Sequence, residues 1–236
     1  MSQSDHRCTT SFGRAVAVFS LAVFTALASC STSSPNSQPP TQTRAESAEK
    51  PPVHVKILAF NDFHGYLRGP GGEVEVDGES VEAGGLPQMA AHLDRIRNKH
   101  PNTIVVSAGD LIGASPLVSA LLHDEPTIEG MNRAGLVVTS VGNHEFDEGW
   151  QELVRMKEGG CHPEDGCRGD RQFDGADFEF LAANVYQSDD DTVFPATLVR
   201  EYDGVKIGFI GLTLEGTPGI VNPEGVEGLT FTDEEK

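Results

Sequence analysis

Three short segments of this chain carry residue types that do chemistry. In Asn61-Asp62-Phe63-His64-Gly65 a carboxylate and an imidazole stand two residues apart. On an extended segment that spacing points both to one side, and the donor pair suits Zn, Mn or Fe. In Ser107-Ala108-Gly109-Asp110 the glycine permits a tight turn with Asp110 at its tip. A carboxylate there has two oxygens and can bridge two cations. Val141-Gly142-Asn143-His144-Glu145-Phe146-Asp147 adds an amide oxygen from Asn143, a weak neutral ligand. His144 and Asp147 are three apart at an expected helix start, so they share a face. A carboxylate accepting from one ring nitrogen fixes the tautomer and raises the basicity of the other. Each segment alone also has a plain architectural use. Asp62 and Gly65 suit a strand-end turn, Asp110 an Asx-turn or N-cap, and Asn143 and Asp147 an N-cap and a first-turn acid.

The elements that must position these groups are legible in the apolar pattern. Val53 to Phe60 is β-branched and mostly apolar, as a buried strand should be. Leu86, Met89, Ala90, Leu93 and Ile96 fall at helical spacing and predict an amphipathic helix over 84–99. Thr103 to Ala108 reads as a second buried strand, Pro126 to Ala134 as a short helix stopped by Gly135, and Leu136 to Val141 as a third strand. A helix is expected over 145–157, and strands over 180–185, 194–202 and 206–213, the last two joined by an Asp203-Gly204 turn. The alternation predicts an α/β fold with a largely parallel or mixed sheet. Each chemical segment begins just past a strand's last apolar residue. Functional groups gather at strand carboxyl ends in such sheets, so three independent strands predict one shared site.

Charge narrows the function. Lys plus Arg total 17 against 36 Asp plus Glu, a net charge of −19. That balance argues against nucleic acid or an anionic membrane surface as partner. A phosphate substrate would then need local positive charge, which bound metal supplies.

The first 29 residues read as a processing segment: Arg7 and Arg14 precede an apolar run, Ala15 to Ala26, too short for the ~20 residues of a spanning helix. Leu27-Ala28-Ser29-Cys30 resembles a bacterial lipobox, which makes Cys30 the lipidated first residue of an exported cell-envelope protein, an outer-membrane lipoprotein by that resemblance; the alternative is an ordinary cleaved signal peptide with an incidental Cys. Residues 30–52, rich in Ser, Thr, Pro and Gln, read as a disordered linker. In an exported chain Cys161 and Cys167 read as a small disulfide loop, with a metal knuckle through His162 as the alternative. His92, His100 and His123 read as ordinary helix or surface histidines.

Taken in order, the three segments resemble the calcineurin-like metallophosphoesterase signature. The wording N-D-F-H-G, S-A-G-D and G-N-H-E-F-D-x-G, with Leu181-Ala182-Ala183-Asn184-Val185, is similar to the bacterial 5′-nucleotidase branch, which includes UDP-sugar hydrolases and cyclic-nucleotide phosphodiesterases. The resemblance implies a metallophosphatase-type mixed β-sheet sandwich flanked by helices over 53–236. It implies two divalent ions of the Mn, Zn or Fe class, with Asp62 and His64 on the first, Asp110 bridging and Asn143 on the second. His144 would stabilise the phosphoryl transition state or protonate the leaving group, oriented by Asp147. The substrate implied is a nucleotide or other phosphoester, with membrane contact through the lipid anchor only and no oligomer. That family also uses histidines from later segments, whereas past His144 this sequence has only His162. The expectation is therefore a domain incomplete at its C-terminus. The alternative is a non-catalytic envelope lipoprotein that retains a metal- or partner-binding half-domain.

Overall fold

The computed structural model describes residues 51–69, 71–168, 171–188 and 190–235. The expected leader, the Cys30 lipidation site and nearly all of the linker lie outside these residues.

Strand β1 (Lys56–Phe60) is followed by a hairpin, β2 (Glu73–Val76) and β3 (Glu79–Glu82), then helix α1 (Leu86–Lys99) and strand β4 (Thr103–Ser107). Helices α2 (Leu117–Ala120) and α3 (Glu125–Ala134) lead to β5 (Val138–Ser140), and α4 (Trp150–Glu158) leads to β6 (Glu179–Leu181). The remaining strands are β7 (Val185–Ser188), β8 (Asp191–Thr192), β9 (Thr197–Tyr202), β10 (Val205–Ile210) and β11 (Thr230–Phe231).

β1, β4, β5 and β6 form a parallel sheet in that order. Parallel neighbours need crossover connections, and α1, α3 and α4 lie in them. β4, with Ile104 and Val105 buried on opposite faces, is an interior strand; β1, at the sheet's edge, alternates between half-buried and exposed positions. Leu93 of α1, Ile128 and Met131 of α3, and Leu153 and Met156 of α4 are buried in one core with Val105 and Phe180. Burying such a side chain contributes about 1.5–3 kcal/mol, so the helical layer fixes the sheet and with it the strand ends. β7 pairs antiparallel with β8 and β11, and β9 with β10. Among the described residues no helix is long and apolar enough to cross a membrane.

The expected α/β architecture with a parallel sheet and flanking helices is present. Two expected elements are divided. The helix over 145–157 is a single 3-10 turn, His144–Phe146, and then α4, separated at Gly149, whose φ of 96° no helix accommodates. The strand over 180–185 is β6 and β7 with a turn between. Buried Asn184 causes that turn: its side chain donates to the carbonyls of Thr213 and Thr232 and accepts from the Thr213 N–H at 2.9 Å. A buried amide must be satisfied in this way, so the chain turns where its partners are. The hairpin β2–β3 has no counterpart in the reading above, although Asp77-Gly78 at its tip is a recognised hairpin dipeptide. All eight of its strand residues are exposed, so its hydrophobic signal is weak.

Candidate metal centre

The loops after β1 and β4 continue the pairing of their strands. The N–H groups of Asp62, His64 and Gly65 donate to the carbonyls of Gly109, Asp110 and Leu111 at 3.2, 3.0 and 3.0 Å. The backbone does this in an uncommon conformation: φ is 53° at Asp62, 44° at His64 and 53° at Asp110. Asp62 and His64 are therefore not brought together by an extended segment, as their spacing suggested. Left-handed turns do it, each costing of order 1–3 kcal/mol and held in place by the surrounding ladder. Strain of this kind concentrates at functional sites.

The result is a donor cluster. One ligand atom each from Asp62, His64 and Asp110 lies within 4.8 Å of the others. His64 Nδ1 lies 2.9 Å from the carbonyl oxygen of Gly113. A carbonyl only accepts, so Nδ1 carries a proton and Nε2 is the nitrogen left facing Asp62, whose Oδ1 is 3.8 Å away. Two carboxylates and an imidazole with its second nitrogen anchored are a donor set that fits a divalent transition metal. Asn143 lies in the loop after β5, and its side chain makes no capping bond to the turn that follows. Its amide is thus not used as the N-cap that its position allows.

His144 sits against this cluster, its ring 4.8 Å from that of His64, edge to face. Its backbone N–H donates to Asp110 Oδ1 at 3.1 Å, and its Nδ1 is 2.9 Å from Asp147 Oδ2. Burial alone would lower the His144 pKa. The hydrogen bond and charge of Asp147, together with the charges of Asp110 and Glu145, outweigh it and raise the pKa above 6.5. Gly113 makes room for this pair: a Cβ there would lie 2.4 Å from the His144 carbonyl and 2.6 Å from Asp147 Oδ2.

Sequence reasoning passed over Glu145. It is 2% exposed, and its carboxylate accepts from the N–H groups of Asp110, Leu111 and Gly142 at 2.9, 2.7 and 2.6 Å. It ties the loop after β4 to the loop after β5. Burial pushes its pKa up to about 7 against the pull of those N–H donors, with the Asp110 charge adding to the rise. Its position between two recognised ligand types was the available signal, but an acid beside His144 reads as an exposed helix residue. Cys161 and Cys167 are joined by a disulfide, well apart in sequence from the three segments.

Residues 55–234 match the calcineurin-like phosphoesterase family. The chain belongs to that family. A protein from the pqq-V 5′ region of Acinetobacter calcoaceticus is 44% identical over 68% of this chain and 85% of its own length. Endonuclease YhcR of Bacillus subtilis is 38% identical over 81% of this chain, and a 5′-nucleotidase of Vibrio cholerae 30% identical over 92%. The chain spans 16% and 34% of the lengths of these two relatives. Among solved structures, the NAD nucleotidase of Haemophilus influenzae superposes with a TM-score of 0.60 at 26% identity, covering 77% of this chain and 30% of that one. The calcineurin-like phosphoesterase fold of this chain thus has nucleotidase and endonuclease relatives.

Proposed function

We propose that the chain is a metal-dependent phosphoric ester hydrolase that acts on nucleotides in the cell envelope, held there by a lipid on Cys30. The observation that carries this reading is the meeting of Asp62, His64 and Asp110 within 4.8 Å, with the His144–Asp147 pair against them. A scaffold has no use for a carboxylate-oriented histidine beside a cluster of metal donors. Asp62, His64, Asp110 and Asn143 would hold two divalent ions of the Mn, Zn or Fe class. When bound, such ions lower the pKa of a water and neutralise phosphoryl charge.

The protein's own groups do the rest. Asp147 takes the Nδ1 proton as a hydrogen bond, which leaves Nε2 of His144 to face substrate. The Asp147 carboxylate favours the protonated form of His144, so Nε2 can give a proton to a leaving oxygen or stabilise phosphoryl charge. Glu145 holds the two ligand loops at one spacing while the charge on phosphorus changes. Nucleotides are favoured over polymeric nucleic acid because the net charge of −19 repels a polyanion. The endonuclease relative makes DNA the second substrate to assay.

The test is hydrolysis of AMP, NAD, a UDP-sugar, a chromogenic phosphodiester and single-stranded DNA by the full chain loaded with manganese, with His144→Ala in parallel. Metal-dependent release of phosphate or nucleoside, lost in H144A, supports the reading. A protein that binds manganese and hydrolyses none of them is the non-catalytic binding protein of the alternative reading. Palmitate labelling that disappears in Cys30→Ala tests the anchor.

A further inference from the structure

A second group of metal donors shares no residue with the Asp62–His64–Asp110 cluster, and no step of the proposed hydrolysis uses it. It is built on His123, Glu148, Glu152 and His162, with one ligand atom of each within 4.8 Å of the others. The residues come from three places: the turn before α3, the start of α4 with the loop before it, and the disulfide loop closed by Cys161 and Cys167.

His123 is not the ordinary surface residue its context suggested. Its φ is 48°, its side chain is 17% exposed, and its two ring nitrogens lie 2.6 Å from Glu148 and 2.8 Å from Asp165. The His162 ring stacks on it with centroids 3.8 Å apart and planes 2° from parallel. His162 Nδ1 accepts from the N–H groups of Glu164 and Asp165 at 3.3 and 3.1 Å, so the lone pair of that neutral ring is on Nδ1 and a bound cation competes with those N–H groups for it. With both ring nitrogens of His123 against carboxylates, the two imidazoles and the two glutamates become an N2O2 set when a cation displaces the proton between His123 and Glu148.

A second observation points to a ligand here. His123, Glu148 and Glu152 line a cavity of about 80 Å³ together with Asp124 and with His144 and Asp147 of the first site. Asp124 is 4% exposed; its Oδ2 accepts from Gly113, and its Oδ1 has no hydrogen-bond partner. A buried carboxylate oxygen left unpaired in an acidic cavity is costly, and a cation in the cavity offsets that cost. Arg155 is close but committed: it is bonded to Glu125, Glu152 and the Gly160 carbonyl, with its side chain 9% exposed.

We propose that His123, Glu148, Glu152 and His162 form a second, structural cation site of the Zn²⁺ class. Zinc–nitrogen and zinc–oxygen bonds of about 2.0–2.2 Å require the four atoms to draw in by about an ångström. The disulfide loop and the side chain of exposed Glu148 can make that movement. The bound ion pins the disulfide loop to α4. It also fixes Glu148, the residue directly after Asp147, and so braces one side of the His144–Asp147 pair.

The test is independent of any hydrolysis. Crystals of the full chain grown with zinc, measured at the zinc absorption edge, are expected to show an anomalous peak between His123 and His162, apart from any peak at Asp62, His64 and Asp110. In solution, Glu148→Gln and His162→Gln each lower the zinc affinity of this site tenfold or more and remove one zinc equivalent per chain. Asp110→Asn leaves that equivalent in place. Absence of the peak beside His123 in the wild-type crystal overturns the proposal, as does an unchanged zinc equivalent in a folded E148Q protein. Loss of zinc from the Asp62 cluster alone bears on the hydrolase reading and not on this one.

Discussion

The imidazoles of His64 and His144 meet edge to face with ring centroids 4.8 Å apart and an interplanar angle of 83°. One residue follows β1 and the other follows β5, so the contact joins the ends of strands separated in the sheet by β4. The metal donors and the proton-transfer pair are thereby one assembly. Replacing His144 with Ala is expected to lower kcat by 10²–10⁴, the usual worth of a positioned general acid. Asp147→Asn, which disturbs only the orientation of the ring, is expected to cost about 10–100-fold. Steady-state kinetics with metal analysis on the same samples checks both, because bound metal is expected to stay unchanged.

Gly113→Ala tests the same pair by steric means. The added methyl meets the His144 carbonyl and Asp147 Oδ2, at a residue whose φ is 78°. The expected outcome is a fall in kcat at least as large as that of D147N, with a stability loss of about 1–3 kcal/mol. Kinetics and denaturant unfolding of one preparation separate the two effects.

Glu145→Ala removes the acceptor of three backbone N–H groups. Leaving a buried donor unsatisfied costs about 1–3 kcal/mol, so a loss of about 3 kcal/mol or more is expected from urea midpoints. Glu145→Gln keeps one acceptor oxygen and should fall between wild type and Ala. A loss in E145A below about 0.5 kcal/mol would mean that water takes over those donors.

Arg155→Ala is expected to be among the most destabilising single changes in α4. It strands Glu152, leaves Glu125, 8% exposed, with the 3.7 Å ion pair to Arg168, and opens the carbonyl of Gly160. Breaking a buried pair in this way costs about 3–5 kcal/mol. Arg155→Lys retains the charge without the fork and should lose less. Thermal unfolding midpoints give the order.

In metal-free protein His123 makes stability depend on pH. Burial lowers its pKa, but the hydrogen bonds to Glu148 and Asp165 and the charges of Glu148 and Glu152 raise it on balance above 6.5; the neutral His162 ring stacks on it. A raised folded-state pKa means that the stabilisation is fully present below pH 6.5 and is lost as pH rises through the folded value. The melting temperature is expected to fall on going from pH 6 towards 8, and the fall should be smaller in His123→Gln. Zinc added at pH 8 is expected to restore the wild-type value and to leave H123Q unchanged.

The sequence alone determined the α/β alternation, the three strands whose ends carry Asp62, Asp110 and Asn143, and the Asp203-Gly204 turn. These are local matters: a β-branched run such as Thr103 to Ser107 and a two-residue turn announce themselves within a few positions. The pairing of His144 with Asp147 is local too, being three residues long. Only the tertiary structure decided the rest. Glu145 has partners on Asp110 and Leu111, more than thirty residues upstream, and its neighbours in sequence do not reveal that it is buried. The left-handed backbone at Asp62, His64 and Asp110 is imposed by hydrogen bonds between two loops and not by those residue types. His123 became a candidate ligand only when the disulfide loop folded His162 and Asp165 onto it. A side chain's chemistry depends on burial and on distant partners, and those exist only once the sheet and its helices have closed.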